Sequence, residues 1–191
     1  MDYGRDGRYR IRLAKDDDRI IPNPMLSEVK MLGSVPALVH RYALNDEQRL
    51  LAVLRYNRLI DVFTGAMCYS LQSHLRTSLP GIGEVETGEI YVGVAMTGRQ
   101  FVFPVQARSA KTGIRSSQVE QDLAVCASKL PTLRCRPIAA QSMDDNLIAL
   151  FEFEMSEGEV FLREEKHYRI VTDEDLINEE TAGYRSSRAQ T

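Results

Sequence analysis

Soft metal ligands are scarce in this 191-residue chain, which has three cysteines and three histidines. Cys68, Cys126 and Cys135 form no CxxC pair and are odd in number. Neither a zinc cage nor a disulfide frame is expected, and the thiols read as reduced, in a cytosolic protein. His40, His74 and His167 offer no HxH or HExxH spacing, which argues against a structural zinc site. Neither His74 nor His167 has an Asp or Ser partner at the spacing of a hydrolase triad. No G-x-x-x-x-G-K-[ST] occurs, and the only glycine-rich piece is Gly81-Ile82-Gly83, so a P-loop nucleotidase is excluded. No stretch approaches the roughly 18 consecutive apolar residues of a membrane helix. The charged start, Met1-Asp2-Tyr3-Gly4-Arg5, is followed by no apolar run, so no secretory signal is expected. The chain reads as soluble and cytoplasmic.

What is present is the composition of one globular domain: 43% hydrophobic and 27% charged residues. The net charge of -3 conceals an asymmetry. Residues 1–40 carry 7 basic and 6 acidic side chains, residues 41–136 carry 12 and 8, and residues 137–191 carry 5 and 13. The middle of the chain is therefore basic and its last third strongly acidic. Arginine outnumbers lysine 19 to 5. Its planar fork suits phosphate and carboxylate recognition, although a solvated arginine-rich surface explains the same bias.

Patterning divides the chain into an arm (1–22), a single α/β (α+β) domain (23–171) and an acidic tail (172–191) with a short helix at its start. The arm closes at the turn Pro22-Asn23-Pro24. Leu26, Val29 and Leu32, stopped by Gly33, are spaced as a helix. A longer helix is expected from Asn45, its N-cap, to Phe63, ended by Gly65. A second helical segment is expected through Tyr69, Leu71 and Leu75 to Pro80-Gly81. After Gly83 the period changes to that of strands. Residues 89–94 and 101–105, joined at Thr97-Gly98, read as a hairpin. Ser117 and Glu120 match a capping box for a helix ending at Pro131. Strands follow at 133–138, 147–154, 159–163 and 167–171. The step from Val105 through that helix to Cys135 is long enough for a parallel crossover, which predicts helices covering a central mixed sheet.

The hairpin gathers the chemistry. Glu84, Glu86 and Glu89 enter its first strand, and Gln106 and Arg108 end its second, two apart and so on one side. Carboxylates and a neutral oxygen are ligands suited to Mg²⁺. A neighbouring cation would stabilise charge on an attacked phosphate. Acidic hairpins followed by a basic residue also occur in many sheets without any such role.

Longer blocks are more specific. Glu86-Thr87-Gly88-Glu89-Ile90-Tyr91-Val92-Gly93, Phe103-Pro104-Val105-Gln106-Ala107-Arg108 and Gln118-Val119-Glu120-Gln121-Asp122 stand out. So do Arg136-Pro137-Ile138-Ala139-Ala140-Gln141, Ile148-Ala149-Leu150-Phe151-Glu152-Phe153 and Glu165-Lys166-His167-Tyr168-Arg169. With these the chain, from about Asp16 to Val171, resembles a group of bacterial and archaeal proteins related to restriction endonucleases of the PD-(D/E)xK type. The resemblance implies a restriction-endonuclease-like core and Mg²⁺- (or Mn²⁺-) assisted hydrolysis of DNA phosphodiesters, in restriction or defence, by a homodimer. It assigns Glu89, Gln106 and Arg108 to catalysis and Glu86, Glu89 and Gln106 to the metal. Arg49, Arg55, Arg58, Lys111 and Gln118 are the expected DNA contacts, although Arg58 can instead pair with Asp61 on a solvated helix face. Two positions depart from the pattern: Gly88 stands where the resemblance expects aspartate, and Arg108 where it expects lysine. These departures raise a second reading, a degenerate member that binds DNA or a protein partner without cutting.

Overall fold

A computed structural model describes residues 2–3, 9–10, 19–144, 146–156 and 159–177. The first strands are short: β1 (Asp2–Tyr3), β2 (Tyr9–Arg10), β3 (Arg19–Ile20) and β4 (Glu28–Leu32). Three helices follow: α1 (Ala37–Tyr42), α2 (Asp46–Tyr56) and α3 (Leu59–Thr64). Next come the long strands β5 (Ala66–Leu79), β6 (Gly83–Ala95) and β7 (Gln100–Arg108), then β8 (Ile114–Arg115) and the helix α4 (Ser116–Lys129). Strands β9 (Arg134–Cys135), β10 (Ile138–Ser142), β11 (Leu147–Ser156) and β12 (Glu159–Val171) complete the described chain.

Ten of these strands form one mixed sheet. Eight run in the order β1-β2-β12-β11-β10-β7-β6-β5, with β4 beside β12 and β9 beside β7, while β3 and β8 pair separately. The fold is α+β, a large mixed sheet flanked by helices, as the patterning expects. β7 lies parallel to β9 and β10, so the crossover through α4 is formed. The 95–100 hairpin turn is also as expected: Gly98 takes φ +79° and its N–H donates to the Ala95 carbonyl at 2.8 Å.

Alternation along the central strands assigns the two faces. Phe101, Phe103, Val105 and Ala107 of β7, with Ile138, Ala140, Ile148 and Leu150, pack against Leu50, Leu51, Leu54, Leu59, Ile60 and Phe63 of α2 and α3. The other face carries Ala139, Ala149, Phe151 and Phe153, packed on Val119 and Leu123 of α4, with Val102 and Ile90 against Cys126. Strands buried on both faces read as near-continuous apolar runs, here Leu147 to Phe151, which is why 147–154 is readable as a strand.

Three helix expectations are corrected. Residues 28–32 form a parallel strand on β12, with Gly33 donating to the Val171 carbonyl at 2.8 Å. A two-turn helix cannot offset its nucleation cost when a sheet edge offers a ladder. Residues 66–79 form β5 rather than a helix. Leu71 and Leu75 are four apart, and four is both one helical turn and two strand repeats. The long 45–63 helix is broken at Asn57-Arg58. Asn57 donates from Nδ2 to the Val53 carbonyl at 2.9 Å and accepts from the Ser34 N–H at 2.8 Å. Arg58 then adopts φ +53°. For a residue with a Cβ that conformation costs about 1–2 kcal/mol. Asn45 does cap α2, accepting from the Gln48 N–H at 2.8 Å, and Gly65 ends α3 at φ +64°. At α4 the expected Ser117/Glu120 box is replaced two residues earlier, where Gln118 Oε1 accepts from the Arg115 N–H at 3.1 Å.

Part of the expected arm is tied down: β2 pairs with β12 through Tyr9 and Leu162, and Ile20 is buried. The turn at 22–24 is present, with Leu26 N–H donating to the Asn23 carbonyl. The tail begins with a helical turn at 173–177, and positions 178–191 lie outside the described residues.

Candidate functional site

Glu89 sits in β6 opposite Val105 of β7, and so faces α2. It is fully buried. Its Oε1 accepts from Arg55 Nη2 at 2.8 Å, Arg55 Nε at 3.1 Å and Ser70 Oγ at 2.6 Å. Arg55, itself about half exposed, therefore neutralises the buried Glu89 carboxylate.

Gln106 points to the opposite face. Its Nε2 donates to the Glu86 carbonyl and to Asp122 Oδ1, both at 3.1 Å. Asp122 Oδ1 also accepts from Thr87 Oγ1 at 2.6 Å. Asp122 is buried in the apolar face of α4, and burial pushes its carboxyl up to about 7, against the pull of the Thr87 and Gln106 hydrogen bonds and the Arg108 charge. Asp122 Oδ2 and Gln141 Oε1 are buried without a hydrogen-bond partner among the described residues. Arg108 lies beside Gln141 in the β7–β10 register and donates from Nη1 to the Ala107 carbonyl at 2.8 Å. This end of the two parallel strands is rimmed by exposed cations. Lys111 follows in the loop, and Arg115 of β8 lies directly opposite Arg19 of β3.

Thr87 and Glu89, two residues apart, thus face opposite sides, which requires β6 to turn over at Gly88. The paired register with β7 begins only at Glu89. A Cβ on Gly88 would lie 2.9 Å from the Val105 carbonyl oxygen, closer than side chains approach backbone. On the other neighbour, His74 takes φ +49° between the residues that pair with Thr87 and Glu89.

The expected metal ligands are therefore not brought together. Glu86 is exposed and its carboxylate meets Arg76 Nε at 2.9 Å and His74 Nδ1 at 3.4 Å. Glu89 pairs with Arg55 through Oε1, its Oε2 buried without a hydrogen-bond partner among the described residues, and lies across the sheet from Gln106. Magnesium keeps several waters and is held by one or two protein oxygens that converge on a single point. Glu86, Glu89 and Gln106 do not converge in that way and do not fit the ion. Of the expected DNA contacts, Arg49 is exposed on α2, Arg55 braces Glu89, and Arg58 donates to Asp61 Oδ1 at 2.5 Å, the pairing weighed as its structural alternative. Lys111 lies near Arg108 at the strand ends, while Gln118 serves the start of α4. Asp122 was missed by sequence reasoning. The signal was present, because it lies in the 119, 122, 123, 126 stripe of α4, where a carboxylate is out of place.

No family model, curated protein or solved structure matches the chain.

Burial pushes the Cys68 thiol up to about 11, and Cys135 is raised by its hydrogen bond with Cys126 and by burial. No described helix is long and apolar enough to cross a membrane.

Proposed function

We propose that this chain is a nuclease-type sheet protein that holds DNA without cutting it, using the cation-rimmed ends of β7 and β10. The observation that carries this reading is the division of Glu89 from Gln106. The would-be acidic ligand is neutralised by Arg55 on the α2 face, and Gln106 is bonded to Asp122 on the α4 face. Gly88 supplies no carboxylate between them and has no space for one. In α/β sheets, ligands gather outside the carboxyl ends of parallel strands. There Arg108, Lys111, Arg115 and Arg19 offer charge suited to phosphates, which carry most nucleic-acid affinity. The strongly acidic last third of the chain disfavours indiscriminate polyanion binding.

Fluorescence anisotropy of a labelled duplex over a salt series tests the reading. Affinity should fall steeply with salt, and Arg108→Ala with Lys111→Ala should reduce the log–log slope by about two, one per lost phosphate contact. Binding absent at low salt, or a slope unchanged in the double variant, contradicts it.

A further inference from the structure

A cleft of about 270 Å³ opens between the α2–α3 junction and the edge strand β5, away from the strand ends that the DNA reading uses. Its floor is apolar, with Leu54 and Ile60 fully buried, and Tyr69 stands exposed at its mouth. Two guanidiniums, Arg55 and Arg58, share its wall with Asp61, Cys68, Ser70 and Tyr91. Arg55 is held from behind by Glu89 and by Ser73 Oγ at 3.1 Å. Arg58 is held by Asp61 Oδ1, whose position is itself fixed by the Cys68 N–H at 2.9 Å. Each side chain remains about half exposed, at 47% and 58%, so the unused N–H groups stay accessible.

Carboxylates bonded to the arginines, Glu89 from behind and Asp61 within the cleft wall, fix the forks before a ligand arrives, which lowers the entropy lost on binding. The left-handed backbone at Arg58 points the same way. Glycine or asparagine suits that junction better, yet a guanidinium is carried there. One fork satisfies a carboxylate, whereas two forks on one cleft match the several oxygens of a phosphate. The apolar floor and Tyr69 then suit a flat, largely apolar group attached to it.

We infer that this cleft binds a phosphomonoester of a sugar that bears an aromatic ring system, the chemistry of a mononucleotide. Two sources share that chemistry: a free nucleotide and the 5′-phosphorylated end of a strand. The site stands apart from Arg108 and Lys111, so its fate does not depend on theirs.

Calorimetric titration with dAMP, inorganic phosphate, and 5′-phosphorylated and 5′-hydroxyl single-stranded oligonucleotides tests the inference on the full chain. dAMP should bind more tightly than phosphate alone. A 5′-phosphorylated strand binding better than both dAMP and its 5′-hydroxyl twin identifies the strand end as the source; dAMP binding at least as well as that strand identifies the free nucleotide. Arg58→Gly relieves the left-handed strain, so its melting temperature should be unchanged or higher while dAMP affinity falls by about tenfold or more. Tyr69→Ala should weaken dAMP and leave phosphate unchanged. Arg108→Ala with Lys111→Ala should leave dAMP binding intact even if duplex binding is lost. The inference is overturned if dAMP and the phosphorylated strand both fail to bind, if phosphate binds as tightly as dAMP, or if a folded Arg58→Gly protein binds dAMP like the parent.

Discussion

Asp122 is an acid placed where helix α4 meets the sheet, and its proton is the most consequential in the described structure. Unfolded, its carboxyl titrates near the ordinary 3.8; folded, burial raises it to about 7. Between those values the folded state holds a proton that the unfolded chain has released, so this group's contribution to stability falls as pH rises, then levels above 7. The slope is at most about 1.4 kcal/mol per pH unit. Asp122→Asn keeps an acceptor for Thr87 and Gln106 and removes the titration. Urea denaturation of both proteins from pH 4.5 to 8 should show the variant gaining on the parent as pH rises, and equal or more stable at pH 8. A constant difference across that range contradicts the assignment. Individual side chains were legible unevenly. Glu89, Gln106 and Arg108 stand out in the sequence, but the Arg55 and Asp122 partners that consume the first two come from distant segments that only tertiary packing brings near.

At the scale of elements, the hairpin β6–β7 and the α4 crossover were legible because their signals are local: Thr97-Gly98 for the turn, and an apolar stripe of one period for the helix. The distortion at Gly88 was not. It arises because Thr87 is drawn to Asp122 on one face and Glu89 to Arg55 on the other, and no local pattern records such opposed pulls. Glycine is required there by the approach of the Val105 carbonyl rather than by a positive φ. Gly88→Asp, which would restore the acid that the resemblance expects, should therefore destabilise by about 1–3 kcal/mol without creating cleavage. Gly88→Ala, which adds the Cβ without the charge, should lower the melting temperature too. A Gly88→Asp protein as stable as its parent contradicts the steric account. β5 failed to declare itself for a different reason, since its apolar residues recur at a spacing common to helix and strand, and its exposed edge gives it few burial constraints.

For the whole molecule, the mixed sheet with helices on both faces follows from the order of patterned segments, whereas the strand order does not. The positions of β4 and β2 beside β12 depend on contacts between the two ends of the chain, which spacing arguments cannot reach. That sheet is also what separates Glu89 from Gln106, so the proposed lack of cutting would rest on the fold as much as on Gly88 and Arg108. One assay addresses this directly: supercoiled plasmid and pure protein with Mg²⁺ or Mn²⁺, beside an EDTA control and a Glu89→Ala variant, with binding measured in the same mixtures. The account predicts a retarded but uncut plasmid under every condition. Metal-dependent nicking that disappears with EDTA and with Glu89→Ala would contradict it, because Glu89 would then have to leave Arg55 and reach the metal that this geometry denies it.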